Sequence, residues 1–406
     1  MNQQDAADAI RFMTAIGQNV KEVGKIIGQD DVIDGLIVAL VTNGHVLLES
    51  NPGLGKTSLA RAFAEALNLG DQHKRIQFTP DLLPSDITGT EIPKPNDSGG
   101  FRLEFVQGPI FCDILLADEI NRATPKTQAA MLEAMAEGQV TVLGKRWPII
   151  DDHKIDLRGV TVSVRNPFMV VATQNPIDQE GTYELPEAQA DRFQLKLLMQ
   201  PPDTENLAHI VRKVAMGGRK RPETATPDDR RQPGGPVTGS REESLYKIDK
   251  VRRLIIGAPV EDHIVGHATN IVQATNGPRY IADTIDLGEG NRRDLQTFSE
   301  RYIDIPLGPR AAIALVMVAK AHAFLSTDPV QADQWHGHLP KSIRQMARGV
   351  LRHRLKLKPE WHGHAQADFG SAGPLTTEDL RDRVIDRLVK LTAPRIGHYG
   401  RFFDDL

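Results

Sequence analysis

The chain has 406 residues, a formal net charge of −4 and an isoelectric point near 6.4. With 40% apolar and 25% charged residues it reads as a globular protein of two or three domains, and nothing in the charge balance demands a polyanion partner. The single cysteine, Cys112, excludes an intrachain disulfide and reads as a small core residue; with no apolar run near the ~18 residues of a bilayer span and no basic-then-apolar leader, a cytoplasmic protein is expected.

Residues 5–42 read as helical, with Ile10, Met13, Ile16 and Val20 at helical spacing. Short apolar strands follow: "VLL" from 46, "RIQF" from 75, "ILLAD" from 114, "FMVVATQ" from 168 and "FQLKLLM" from 193. Between them lie the helical patterns "KTSLARAFAEALNL", "PKTQAAMLEAMAEG" and "ELPEAQADR". Strands alternating with helices predict a parallel sheet covered on both faces. Two stretches with period two, "GGFRLEFVQGPIF" and "GQVTVLGKRWPIIDDHKIDLRGVTVSV", predict inserted hairpins. Residues 217–243 are rich in Pro, Gly and charge and read as a linker or long loop. Beyond them the patterns are helical, which gives an α/β domain over 1–205, a helix and polar linker over 206–245 and a helical domain over 246–406.

"ESNPGLGKTS" follows the first strand and opens a helix, as a phosphate-binding loop must. Gly55, Lys56 and Thr57 fit the usual pattern, but Ser50 stands where its first glycine belongs. Asn51, Pro52, Gly53, Leu54, Gly55, Lys56, Thr57 and Ser58 are the candidate phosphate-contacting residues of a nucleotide site, with Lys56 meeting the β- and γ-phosphates and the Thr57 hydroxyl a ligand for Mg²⁺. A helix start that happens to hold a lysine is the bland alternative. The strand "DILLADE" weighs against it, because it ends in two carboxylates where α/β sheets bind ligands. Asp118 is suited to Mg²⁺ and Glu119 to taking a proton from an attacking water. Asn175, at the end of "VVATQN", either orients that water or belongs to an Asn-Pro turn. Arg192 is either a helix C-cap or a cation reaching a neighbouring subunit's nucleotide. Arg310 stands at a helix start, which the helix dipole disfavours, so a γ-phosphate contact gains weight.

The succession "FTPDLLPSDITGTEI", "GPIFCDILLADEINRATPKTQAAMLEAMAEGQVTV", "PFMVVATQNPIDQEGTYELPEAQADRF", "GPRAA" and "VLRHRL" closely resembles the MoxR family of AAA+ ATPases, densely over residues 20–200 and more thinly beyond. The resemblance implies an α/β P-loop NTPase sheet domain with a helix-2 insert and an extra hairpin, followed by a helical lid. It implies ATP and Mg²⁺ as ligands, a ring, usually hexameric, and a protein client reached through a von Willebrand A domain partner, with metal or cofactor insertion among the tasks. It makes Asn175 sensor 1, Arg192 the arginine finger and Arg310 sensor 2, with Arg122 the second choice for a trans-acting arginine. Residues 151–164, 217–243 and the stretch before Arg310 are longer than the family pattern. A DNA-associated motor is the alternative; the charge balance and the lack of a recognisable nucleic-acid module weigh against it.

Three weaker signals are read as bland. His263 and His267, at i, i+4 spacing, suggest a metal site less than a solvated helix face. The paired "WHGH" segments, at 335–338 and 361–364, read as surface loops using Trp for packing or partner contact. "RRLII" and "RHRLKLK" read as basic, solvated helix faces.

Overall fold

A computed structural model of the chain describes residues 3–51, 53–95, 100–157, 159–175, 183, 185–215, 240–277, 289–361, 368–369, 376–394 and 399–403. Pro52, most of the 217–243 stretch and all of the second WHGH segment beyond Trp361 lie outside the described residues. The chain divides into two compact units, one of Arg11–Arg192 and Leu197–Arg252, the other of Met1–Ile10, Phe193–Lys196 and Arg253–Leu406.

The parallel sheet consists of β1 (Val46–Glu49), β2 (His73–Gln77), β5 (Ile114–Asp118), β10 (Met169–Gln174) and β11 (Leu195–Leu198), in the order β11-β1-β10-β5-β2. β1 pairs with β10, β10 with β5 and β5 with β2, all parallel. β5 and β10 are buried along their whole length, which is why they are apolar up to the polar residues at their C-terminal ends. The register sets Glu49 beside Gln174 and Gln77 beside Asp118, so four strand C-termini end almost level. α1 (Gln3–Gly24) and α2 (Asp30–Val41) precede β1, and Ile10, Met13, Ile16 and Val20 are all buried, as their spacing predicts. α3 (Lys56–Ala66) follows β1, and α5 (Pro125–Glu137) follows β5.

Short α4 (Pro84–Thr88) leads into a hairpin of β3 (Gly89–Pro95) and β4 (Phe101–Gln107). Its root is tight: a Cβ on Gly89 would sit 2.2 Å from the Val106 carbonyl, and one on Gly108 2.2 Å from that of Ile87. The second period-two stretch holds two hairpins rather than one, β6 (Gln139–Val142) with β7 (Lys145–Pro148) and β8 (Asp152–Leu157) with β9 (Val160–Arg165). The extra length at 151–164 is the second of these. Phe105 of β4 stacks on Trp147 of β7 at 4.3 Å, and Lys145 pairs with Glu91 of β3 at 2.9 Å. Cys112 is buried, and that burial pushes its thiol up to about 12.

After α6 (Glu187–Ala190) and α7 (Thr204–Ala215) comes α8 (Arg241–Gly257). The second unit carries α9 (Asp262–Asn276), α10 (Glu289–Tyr302), α11 (Pro309–Leu325), α12 (Leu339–Leu351) and α13 (Thr377–Leu391), with β12 (Ile303–Ile305) antiparallel to β13 (Lys356–Leu357). α11 packs along α9 and α12, and α12 along α13. α13 opens with a reciprocal cap: Thr376 accepts from the Asp379 N–H and the Asp379 carboxylate accepts from Thr376 N–H. Among the described residues no helix is long and apolar enough to cross a membrane.

Three surface readings are corrected. His267 is fully buried, not on a solvated face: Nε2 donates to the Val389 carbonyl at 2.9 Å and Nδ1 accepts from the Tyr399 hydroxyl at 2.7 Å. No cluster of three or more metal-ligating side chains occurs among the described residues. In "RRLII", Arg252 is buried and donates twice to the Leu40 carbonyl, at 3.0 and 2.8 Å. In "RHRLKLK" the helix stops at Leu351, because Lys356 and Leu357 are taken by the antiparallel pair. The first WHGH keeps the packing role read for its Trp: it is a 3-10 turn whose Trp335 is buried against Phe324 and His336.

His45 is likewise buried, accepting from Val170 N–H at Nδ1 and donating from Nε2 to the Met135 carbonyl. Burial lowers both His45 and His267 to about 4. A histidine held neutral contributes its full stability above the unfolded value near 6.5, and the contribution is lost as pH falls towards 4. Each is worth on the order of 3 kcal/mol across that window. The unfolding midpoint should therefore climb between about pH 4 and pH 6.5. In thermal melts across that range His267→Gln should climb less steeply, and a slope equal to wild type would show that His267 is not held neutral.

Candidate nucleotide site

The site is assembled at the C-terminal edge of the sheet. β1 ends at Glu49 and the chain turns through Ser50–Gly55 into α3. Gly53 and Gly55 take φ of +87° and +83°, and a Cβ on either would meet no atom within 4 Å. The glycines are needed for the backbone conformation, and the space beside them is open to an anion. Ser50 is not among the positive-φ residues, so nothing there demands glycine; its buried hydroxyl donates to the Asn51 carbonyl at 3.0 Å. Asn51, Gly53 and Ser58 are exposed, and Leu54 is half-buried.

Lys56 folds back over the loop. Its ammonium donates to the Ser50 carbonyl at 2.9 Å, the Gln174 carbonyl at 3.0 Å and Asn175 Oδ1 at 2.5 Å. Burial lowers its pKa, against the opposing pull of Asp118, Glu119 and Glu49. Thr57 donates to Asp118 Oδ2 at 3.0 Å. Thr173 of β10 donates to Asp118 Oδ1 at 2.6 Å and accepts the Glu119 N–H at 2.9 Å. Arg75 of β2 donates to Asp118 Oδ2 at 2.7 Å. Burial alone would raise the Asp118 pKa, but the hydrogen bonds from Thr173, Arg75 and Thr57 hold it below the usual carboxylate value. Thr57 and Asp118 thus form an oxygen-only pair of the kind Mg²⁺ prefers, beside a loop with room for phosphate.

Glu119 sits in the left-handed region, φ 56° and ψ 50°, unusual for a non-glycine residue and a conformation found at functional positions. Its Oε2 accepts from Gln77 Nε2 and from Arg122 Nη1, both at 3.0 Å. The turn behind it is fixed by Gln128, which donates to the Ile120 and Ala123 carbonyls at 3.1 Å, and by Asn121, which donates to the Asn175 carbonyl at 3.3 Å.

The sheet therefore brings Lys56, Thr57, Asp118, Glu119 and Asn175 together. Arg122 lies in the same network, tied to Glu119 within the chain. Arg192 follows the C-cap of α6, with a buried Nε that makes no hydrogen bond. Arg310 is exposed in the first turn of α11, in the helical unit. Arg75, Gln77 and Thr173 bond to the two carboxylate residues and are the members of this cluster that motif reading passed over. Each had a signal: polar residues flank Ile76 with period two, and a lone Thr interrupts an otherwise apolar strand.

Residues 45–153 and 146–195 match the ATPase family associated with various cellular activities (AAA). The chain is 33% identical over 335 residues to Chaperone MoxR1 of Mycobacterium tuberculosis, covering 82% of this chain and 73% of that one. The chain belongs to the MoxR family of AAA+ ATPases. A crystal structure of a Cytophaga hutchinsonii protein designated an ATPase is similar over 94% of this chain and 96% of its own, with a TM-score of 0.65 and 30% identity. YeaC of Bacillus subtilis is 35% identical over 348 residues, 85% of this chain and 88% of its own. As a MoxR ATPase the protein binds nucleotide and hydrolyses ATP.

Thr173 bonds directly to both Asp118 and Glu119, so Thr173→Val should lower ATP turnover about tenfold or more, leaving the part-buried Glu119 N–H without this partner. Thr173→Ser keeps the bridging hydroxyl and should retain most of the activity. Steady-state ATP hydrolysis decides between them; wild-type turnover in the Val variant would show that the bridge is dispensable.

Proposed function

We propose that this MoxR protein works as a hexameric ring that hydrolyses Mg-ATP to remodel, assemble or activate a protein complex, metal or cofactor insertion included. We infer a protein client, an adaptor bearing a von Willebrand A domain, and action in the cytoplasm. The chaperone name of its relative MoxR1 and the resemblance to the family support the protein client. The observation that carries the reading is the convergence of two polar clusters at one sheet edge, Lys56 with Asn175 and Thr57 with Asp118, Thr173 and Glu119. In this reading the α/β unit hydrolyses ATP and the helical unit is its lid.

Lys56 and the N–H groups of the loop would hold the phosphates, and Thr57 and Asp118 would hold Mg²⁺, which would supply positive charge to the phosphate oxygens. Asn175 orients water in line with the γ-phosphorus. Glu119 takes a proton from that water as its oxygen bonds to phosphorus and the bond to the bridging oxygen breaks, releasing ADP and inorganic phosphate. Arg192 of one subunit reaches the neighbour's nucleotide, and Arg310 meets the γ-phosphate from the lid; both balance charge that grows in the transition state.

ATP hydrolysis per subunit should rise with protein concentration, because the site is shared. Glu119→Gln should bind ATP but hydrolyse it at least ~100-fold more slowly, and Arg192→Ala should lose turnover to a similar degree. Turnover per subunit that is flat with concentration and indifferent to Arg192→Ala would contradict the ring. Strong stimulation by DNA, with no response to protein clients, would favour a DNA-associated motor instead.

A further inference from the structure

The stretch that follows Arg192 is held by side chains from the far end of the sequence. The Phe193 carbonyl accepts two hydrogen bonds, from His353 Nε2 at 2.8 Å and from Arg354 Nη2 at 2.6 Å. The Gln194 carbonyl accepts a third, from Arg354 Nη1 at 3.2 Å. Arg354 Nη1 also bonds the Val350 carbonyl, so the guanidinium is fixed to the end of α12 while it grips two successive peptides. Lys196 pairs with Glu378 at 3.3 Å, and Glu378 is held in turn by Arg381. The Phe193 and Leu195 side chains are fully buried.

The chemistry of this clamp is specific. A carbonyl only accepts, so His353 must carry its proton on Nε2. Burial, with the charge of Arg354 beside it, holds that ring neutral. His353 Nδ1 is buried and makes no hydrogen bond, so the contact to the Phe193 carbonyl is made through Nε2 alone. A turn that needed only a cap would be satisfied by one donor; here two side chains converge on one oxygen. One residue earlier in the chain, Arg192 has a buried Nε that makes no hydrogen bond. The backbone is pinned, and the guanidinium it carries is not consumed by local contacts at that nitrogen.

We propose that His353 and Arg354 are positioning residues for Arg192: by fixing the Phe193 and Gln194 carbonyls to the end of α12, they set the direction in which Arg192 projects. This rests on the reading of Arg192 as the arginine that reaches a neighbour's nucleotide.

The test is a double-mutant cycle on ATP hydrolysis by the full chain, using Arg354→Lys, His353→Leu, Arg192→Ala and Arg192→Ala with Arg354→Lys. Lysine keeps the charge but cannot bridge two carbonyls. Arg354→Lys and His353→Leu should each lower kcat about tenfold or more, while KM for ATP and the affinity for a fluorescent ATP analogue stay within about twofold. The double variant should turn over no more slowly than Arg192→Ala alone. Thermal melts identify a variant that does not fold, and the cycle is then closed with the other clamp residue. Wild-type kcat in both clamp variants, or losses that multiply with that of Arg192→Ala, would overturn the proposal and leave the clamp a purely structural cap. Full turnover in Arg192→Ala itself would overturn the reading beneath it, a result separable from the first because it appears in the single variant.

Discussion

One carboxylate organises the nucleotide site. Asp118 ends a fully buried strand, and burial by itself would drive its charge out. Three donors from three elements keep it ionised: Thr57 at the start of α3, Thr173 on β10 and Arg75 on β2. Each of these reaches Asp118 only because β5 lies between β10 and β2 with its C-terminus level with theirs. Sheet order, strand register and loop placement are therefore tied to a single electrostatic requirement. The same donors extend outward. Thr173 also accepts the Glu119 N–H, and Arg75 donates to Gln77, which holds the Glu119 carboxylate. Asp118 and Glu119 are thus linked by side chains as well as by the peptide bond between them.

The helical unit satisfies its own buried polar groups in a similar way, with long side chains gripping backbone carbonyls. Lys320 donates to the carbonyls of Ile256 and Ala258, His267 to that of Val389, and His353 and Arg354 to that of Phe193. These contacts join segments far apart in sequence at the ends of helices, where carbonyls lack intrahelical partners, and at turns. They give a bundle of modest helices points of fixed geometry that apolar packing alone does not supply.

Much of this was legible in the sequence. Short apolar runs bounded by turn residues located the inner strands of the parallel sheet, because strands buried on both faces are mostly apolar, while the exposed edge strand β2 was marked by Ile76 alone. The loop at Asn51–Ser58 and the Asp118–Glu119 pair were readable for a related reason: both must sit at strand ends, next to one another in the chain or nearly so. What was not legible depends on neighbours that sequence does not order. Arg75 and Gln77 acquire their roles only once β2 lies beside β5. His267 and Arg252 carry polar side chains on helices, so they read as solvated, yet each has a buried backbone or hydroxyl partner that removes the cost of burial. Arg354 reads as the tail of a basic helix because its partners lie some 160 residues earlier. Ser50 looked like a departure from the loop pattern, but the constraint there is backbone conformation, and that position does not need a positive φ.

The most direct measurement is Mn²⁺ binding by electron paramagnetic resonance, with and without ATP, in wild type, Asp118→Asn and Thr57→Ala. If Asp118 is the hub of a nucleotide–metal site, wild type should bind Mn²⁺ tightly only when ATP is present, and both variants should weaken that binding about tenfold or more while still folding. Mn²⁺ affinity that is unchanged in Asp118→Asn, with ATP bound as in wild type, would contradict it.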